Sequence, residues 1–355
     1  MAEANVDHSQ RLADHLREAV RRRQPVRIAG ADTKEALVGR KCEAVPLPMA
    51  EHRGIISYRP DEMVITARAG TPISELKSAV AERGQVLPGD VPEFGGLGTL
   101  GGTLASGLLG PARPWQGSLR DAVLGMRLID GQGEILHFGG EVIKNVAGYD
   151  VSRFQAGGLG CFGLMLDVSL RLLPAPRARA YYAIPCTLRD AIPRMRRLCV
   201  SPLPLSGASW FDGELQLRFE GSPAALEAVS RRLDAAGEGA PEFWDRLREW
   251  QLPPQTPESM PWVLDLAPAR ADSADNPCEL VDWGGARRWY AGTVSQDRAQ
   301  MLAGRGGYAV RHGAGREDSE ALPAPAAATR ALLRRLKLSV DPHGILNPGR
   351  LYPWM

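Results

Sequence analysis

The sequence predicts an α+β protein of two domains, on three observations. The chain has 355 residues, 44% of them hydrophobic, enough to bury two cores of about 150 residues each. Strand-like and helix-like segments both occur, but without the strict alternation that builds a parallel sheet. Two glycine-rich stretches, GLGTLGGTLASG at 96–107 and KNVAGYDVSRFQAGGLGCFG at 144–163, bracket a strand-rich segment, and the pattern changes near residue 176.

The elements follow in order. Leu12, Leu16 and Val20 recur at helical spacing, with Arg21, Arg22 and Arg23 suited to an exposed last turn. Residues 26–29 read as a short apolar strand entering the turn AGADTK. Residues 63–70 alternate like a strand. Thr71 is expected to cap the next helix with Pro72 at its first position; Ile73, Leu76 and Val80 make its apolar face and Gly84 ends it. Strands follow in DAVLGMRLID and GEILHFG, joined by a tight turn at Asp130-Gly131, and FGLMLDVSLRLLP at 162–174 is a long closing strand. Beyond it, residues 181–184 read as a strand, 187–199 as a helix, and 208–220 as a hairpin turning at Asp212-Gly213. Leu215, Leu217 and Phe219 alternate with Gln216, Arg218 and Glu220, as in a half-buried strand. Ser222-Pro223 opens a helix carrying Leu226, Val229 and Leu233. This β-α-β-β-α run suits a ferredoxin-like layer. A strand at 261–266, a hairpin around Gly284-Gly285, a helix near Met301 and a strand at 308–311 complete it. The stretch from Ala314 to Arg330 reads as a linker.

Glycine density flanked by Thr99, Thr103 and Ser106 leaves backbone N–H groups uncovered, as a dinucleotide pyrophosphate requires. Gly96, Gly98 and Gly101 also satisfy G-x-G-x-x-G. A nicotinamide-type turn needs an apolar strand running straight into the first glycine, whereas here Pro88 and Pro92 interrupt the approach. A stretch that is glycine-rich only for tight packing is the remaining alternative.

The ordered set Pro88-Gly89, GTLGGTLASG, DAVLGMRLIDGQGEIL, KNVAGYDVSRF, GGLGCFG and DPHGILNPGR resembles the FAD-binding subunits of bacterial glycolate oxidase. These lie within the PCMH-type, vanillyl-alcohol-oxidase-like flavoproteins that also include D-lactate dehydrogenases. The resemblance is tightest over residues 25–175, with the C-terminal motif as a separate anchor. It implies a PCMH-type FAD-binding domain at 1–175, a smaller ferredoxin-like α+β domain at 176–318, and a linker with a C-terminal segment returning to the flavin domain at 319–355. It further implies that FAD is held by Gly30, Ala31, Asp32, Thr33 and Lys34, by Pro88, Gly89, Gly98, Thr99, Gly101, Gly102, Ser106 and Gly107, and by Asn145, Gly148, Tyr149, Asp150 and Val151, with Asn347 near the flavin end. The family's first turn is usually richer in glycine. Ala31 and Asp32 stand there instead, and a carboxylate beside a diphosphate is repulsive unless it points away. Thr33-Lys34 replaces the histidine that carries covalent FAD in some members, so noncovalent FAD is expected.

The implied activity is oxidation of glycolate to glyoxylate, with electrons passed to a partner. A larger flavin subunit and an iron–sulfur subunit are the implied partners. A self-sufficient D-2-hydroxy-acid dehydrogenase and a non-catalytic assembly subunit with a flavin fold are the alternatives. A small 2-hydroxy acid needs a cation for its carboxylate and a base for its hydroxyl proton. Arg287, Arg288, Arg311, His312 and Arg350 are candidates, and the sequence identifies no catalytic base. The six histidines show no metal-ligand spacing, and no nucleophile-elbow motif appears. The five cysteines, Cys42, Cys161, Cys186, Cys199 and Cys278, include no C-x-x-C, so they read as reduced thiols and offer no iron–sulfur ligand set. A net charge of +2 without a basic run interleaved with aromatics points away from nucleic acid. The N-terminus lacks signal-peptide character and no apolar run approaches a membrane span. A cytoplasmic protein is expected, reaching the inner membrane only through its complex. Seven of the eight tryptophans follow residue 200, and with no helical stripe joining Trp244, Trp250 and Trp262, core packing is favoured over a protein-facing surface.

Overall fold

An amphipathic helix begins the chain. In the computed structural model, which describes residues 5–140, 150–233, 236–267, 278–304, 306–313 and 322–355, α1 (Ser9–Arg22) buries Leu12, Ala13, Leu16 and Ala19 on one face. Arg23 ends it in the left-handed region at φ 50°. Next, β1 (Val26–Ala29) and β2 (Val45–Pro48) form a two-stranded parallel ladder, and β3 (Ile55–Arg59) and β4 (Val64–Arg68) an antiparallel pair. In α2 (Ile73–Ala81), Pro72 takes the N-cap and Thr71 makes no cap bond. The reason is local: the Ile73 amide already donates to Gly98 O at 2.8 Å, so the buried Thr71 hydroxyl accepts from Gly54 N at 2.9 Å instead. A short strand, β5 (Gln85–Val86), follows.

The first glycine stretch departs from the loop expected of it. Thr99 Oγ1 accepts the Gly102 amide and caps α3 (Leu100–Ser106). A Cβ at Gly101 would lie 2.9 Å from Ala69 Cβ, so glycine permits this helix to press against the end of β4, and tertiary contact overrides low helix propensity. Short helices α4 (Arg113–Gln116) and α5 (Leu119–Ala122) follow, the latter with a Ser118/Asp121 capping box. Then come β6 (Val123–Ile129) and β7 (Ile135–Gly139). The turn between them forms where expected, with Asp130 Oδ1 accepting the amides of Gln132 and Glu134, both at 2.9 Å. Asp150 caps α6 (Val151–Phe154), and β8 (Leu164–Arg171) and β9 (Leu173–Pro174) close the region. The five-stranded sheet runs β3-β4-β8-β6-β7, antiparallel throughout. Its centre, β4 and β8, is buried on both faces, and one apolar cluster joins it to α1, α2 and α3.

The second sheet has eight strands. It is built from β10 (Ala178–Pro185), α7 (Leu188–Cys199), β11 (Leu205–Phe211), β12 (Glu214–Gly221), α8 (Pro223–Arg232), β13 (Gly237–Glu238), α9 (Pro241–Arg248), β14 (Trp262–Asp265), β15 (Leu280–Asp282), β16 (Arg287–Tyr290), α10 (Gln296–Ala303) and β17 (Tyr308–Arg311). The order is β13-β10-β12-β11-β15-β16-β14-β17. In its first half the third strand lies between the first and second, as in the split β-α-β of ferredoxin-like layers, and four further strands widen it. The sequence reading missed β13 and α9. It also took β12 as half-buried, yet Gln216 and Arg218 are buried with the leucines because the other layer covers that face; Arg218 pairs with Asp90 at 2.8 Å.

Tryptophans 244, 250, 262, 283 and 289 are buried, consistent with core packing. Three of them, Trp244, Trp250 and Trp289, cluster with Leu37, Val38 and Leu108 of the N-terminal half, and Trp283 Nε1 donates to Gly110 O at 3.1 Å. The two layers therefore share a core. Of the expected linker, residues 314–321 lie outside the described residues, and from Ala327 it is helical: α11 (Ala327–Val340) opens with an alanine-rich turn of high propensity. After α11 the chain returns to β1, where Val26 N donates to Ile345 O at 2.8 Å and Asn347 N to Val26 O at 2.9 Å.

Candidate functional site

An open cleft lies where β1, α3 and the C-terminal return converge. Gly30, Ala31, Asp32, Thr33 and Lys34 form one wall, Thr99, Gly101, Gly102 and Ser106 a second, and Asn347 stands at a third. The remaining predicted residues are placed elsewhere. Gly98 backs the site: its amide donates to Glu93 O at 2.8 Å, and a Cβ there would come within 3.0 Å of Lys34 Nζ. Gly107 is the left-handed C-cap of α3. Gly89, at φ 82° with Pro88 before it, makes a turn whose amide donates to Gln116 Oε1 at 3.3 Å. Asp150 and Val151 sit at the start of α6, away from the cleft lining. Asn145, Gly148 and Tyr149 fall outside the described residues.

The unpartnered backbone amides lie in a different segment from the one that glycine density singled out. In α3 the first amides are committed: Leu100 N to Thr71 O, Gly101 N to Ala69 O, Gly102 N to Thr99 Oγ1 and Thr103 N to Thr99 O. By contrast the amides of Ala31, Asp32, Thr33 and Lys34 have no partner among the described residues. Consecutive unpartnered N–H groups in a turn make a concavity for an anion. Glycine in α3 serves approach instead, since a Cβ at Gly102 would point toward Thr99 Oγ1 at 3.0 Å and at Gly30 toward the same oxygen at 2.8 Å.

The charges around this turn are arranged to tolerate an anion. Asp32 adopts φ 52°, a conformation aspartate accepts more readily than most residues. Its carboxylate receives both Arg27 nitrogens, at 2.9 and 3.1 Å, and Glu35 also lies 3.3 Å from Arg27. The acids of the turn are thereby tied to a guanidinium. Lys34 is buried, with Nζ 4.8 Å above the Phe94 ring and 3.3 Å from Thr33 Oγ1; desolvation pushes its ammonium down to about 8, only partly offset by Glu249.

The sequence reading did not single out Arg27, Glu35, Leu159 and Gly160, which also line the cleft. Gly160 is required there: at φ 72°, a Cβ would meet Asn347 Nδ2 at 2.6 Å. Asn347 itself spans two walls, accepting from Ile28 N at 2.7 Å and donating to Leu159 O. Of the five residues considered for a carboxylate clamp, Arg350 alone lines the cleft, with its guanidinium on the carbonyls of Arg40 and Glu35. Arg287 is engaged by Asp265 at 2.7 Å and His312 by Leu37 O at 3.1 Å, so these residues do not converge. Among the described residues, no group of three or more His, Cys, Asp or Glu side chains is placed to hold a metal. No helix among them is long and apolar enough to cross a membrane.

Comparison with known proteins bears on this cleft. An FAD binding domain model matches residues 2–139, and the C-terminal domain model of FAD linked oxidases matches residues 278–351. Over 348 residues the chain is 41% identical to glycolate oxidase subunit GlcE of Escherichia coli (strain K12), covering 98% of each chain. It is 26% identical over 290 residues to a D-lactate dehydrogenase of Archaeoglobus fulgidus, covering 80% of this chain and 58% of that one. A match to glycolate oxidase subunit GlcD of Bacillus subtilis, 28% over 125 residues, covers 35% and 26%. A solved structure of alkyldihydroxyacetonephosphate synthase shares the fold, with a TM-score of 0.67 at 15% identity over 96% of this chain and 75% of the other. The unpartnered turn amides, the neutralised acids and the glycine-lined approach suit a diphosphate-bearing cofactor. The chain therefore belongs to the family of the glycolate oxidase subunit GlcE among the FAD-linked oxidoreductases, and its cofactor is FAD.

Proposed function

We propose that this chain is the smaller FAD-carrying subunit of a complex that oxidises glycolate to glyoxylate, working with a larger flavin subunit and an iron–sulfur subunit. The observation that carries the reading is near-complete coverage of a glycolate oxidase subunit at 41% identity, joined to a cleft whose unpartnered amides suit the pyrophosphate of FAD. The amides of Ala31 to Lys34 hold the diphosphate, with Lys34 as counter-charge. Arg27 holds Asp32 and Glu35 away from it, and Asn347 fixes the opposite wall. The bound flavin supplies two-electron acceptance from the substrate carbon and onward electron transfer. The protein is cytoplasmic and meets the membrane only through its partners. The D-lactate dehydrogenase likeness keeps a self-sufficient dehydrogenase as the second reading, although the chain spans 58% of that relative.

Acid precipitation of the purified chain is expected to leave FAD in a yellow supernatant, and flavin retained in the pellet would contradict noncovalent attachment. Anaerobic mixing of glycolate with the assembled complex is expected to bleach its flavins. A complex that stays oxidised in glycolate but is reduced by D-lactate would move the assignment to another 2-hydroxy acid.

Lys34 adds a pH dependence of known sign. A bound diphosphate raises the pKa of a nearby ammonium, so FAD binding takes up a proton where free Lys34 is neutral. FAD affinity is expected to be flat below about pH 8 and to fall as pH rises beyond it. In Lys34→Met the dependence is expected to vanish, with weaker binding at pH 7. An FAD titration series from pH 6 to pH 10 checks this, and an unchanged slope in Lys34→Met would remove Lys34 from the diphosphate.

A further inference from the structure

The C-terminal return is tied to the cleft by a buried ionic node. Lys337, in the last turn of α11, is 6% exposed and Asp341 is fully buried. The ammonium lies 2.7 Å from Asp341 Oδ2, donates to Cys161 O at 2.7 Å and to Leu346 O at 2.8 Å, and so commits all three of its N–H groups. Asp341 in turn accepts the amides of Ile345 at 3.1 Å and Leu346 at 2.9 Å. Each anchored carbonyl is one residue from the cleft: Cys161 follows Gly160, and Leu346 precedes Asn347.

We propose that Lys337, paired with Asp341, is a positioning residue for the flavin, holding the Gly160 turn and Asn347 in fixed register as two walls of the FAD cleft. An apolar side chain at this position would leave two buried carbonyls unpaired, which is costly. A buried pair seldom adds net stability over apolar packing, and its best-attested use is to enforce one geometry. There is geometry to enforce, because Asn347 sits at φ 44° and must reach Ile28 and Leu159 together. The inference rests on the FAD site proposed above.

The test titrates FAD into stripped wild-type protein, Lys337→Met/Asp341→Asn, Lys337→Arg and Gly102→Asp, following flavin fluorescence, the visible circular dichroism of bound FAD, and apo melting temperature. The double variant removes both charges together but leaves the carbonyls of Cys161 and Leu346 without their donor, so it is expected to melt below wild type while remaining folded, and to bind FAD on the order of 30-fold more weakly, with an altered visible spectrum. Lys337→Arg keeps the charge but not the three-way geometry, and is expected to fold and show the same direction of change, so the outcome does not depend on the double variant's folding. Wild-type Kd and spectrum in the folded variants would overturn the positioning role and leave a merely structural tie. If Gly102→Asp also binds normally, the FAD site itself is misplaced; if only Gly102→Asp fails, the site stands and the role of Lys337 does not.

Discussion

Gly102→Asp is expected to abolish useful FAD binding, raising the dissociation constant by at least about 100-fold, while Asp32→Gly leaves it within about threefold of wild type and tighter if anything. At Gly102 a Cβ would stand 3.0 Å from Thr99 Oγ1, the atom that accepts the Gly102 amide, so the cap and the approach face are disturbed together. The new carboxylate would enter the cleft without a cation of its own, since Arg27 is already engaged by Asp32 and Glu35. Two like charges about 4 Å apart cost about 4 kcal/mol at an effective dielectric near 20, which leaves ample margin for a 100-fold loss. Asp32 is the opposite case: its charge is neutralised by Arg27, and glycine accepts its φ of 52° without strain. Fluorescence titration of the two apo proteins measures the contrast. Equal effects, or unimpaired binding by Gly102→Asp, would take α3 out of the site.

Most elements of the second sheet were legible because their signals are local, β13 and α9 being the exceptions. Ser222 caps α8 as read, Thr187, expected as the first helical residue, is the N-cap of α7, and Asp212-Gly213 turns the β11–β12 hairpin. Burial was not legible where it depends on distant chain: Arg218 is covered by a loop 128 positions earlier, and no periodicity within β12 records that. The same limit applies at the cleft. Motif order brought out the 30–34 turn, α3 and Asn347, but glycine counting could not tell amides left free from amides consumed. That distinction rests on Thr71, Ala69 and Thr99 being within reach of α3. Gly160 was one glycine among several in GGLGCFG, and only its contact with Asn347, 187 positions on, sets it apart. Asp32 looked unfavourable by charge, and Arg27 across the turn reverses that judgement.

The isolated chain is expected to turn over glycolate with a quinone-type acceptor at no more than about a hundredth of the rate of the assembled complex, compared at equal flavin concentration. Electrons placed on a flavin leave by a second cofactor or by direct contact with an acceptor, and a cluster relay needs several cysteine thiolates in one place. Here the five cysteines are free, on separate segments. Cys161, beside the cleft, has its thiol pushed up to about 11 by burial, so it stays protonated near neutral pH and is a poor ligand or nucleophile. The cleft's carboxylates, Asp32 and Glu35, are both held by Arg27, which leaves neither free to take the hydroxyl proton of a substrate. With neither a free carboxylate in the cleft nor a cysteine cluster among the described residues, the chain is expected to rely on partner subunits for both base and relay. Co-expression with the larger flavin subunit and the iron–sulfur subunit is therefore expected to restore turnover. Full turnover by the chain alone would favour the self-sufficient dehydrogenase. A complex carrying Gly102→Asp, depleted of this subunit's flavin yet undiminished in rate, would instead make the chain an assembly subunit whose FAD serves its fold.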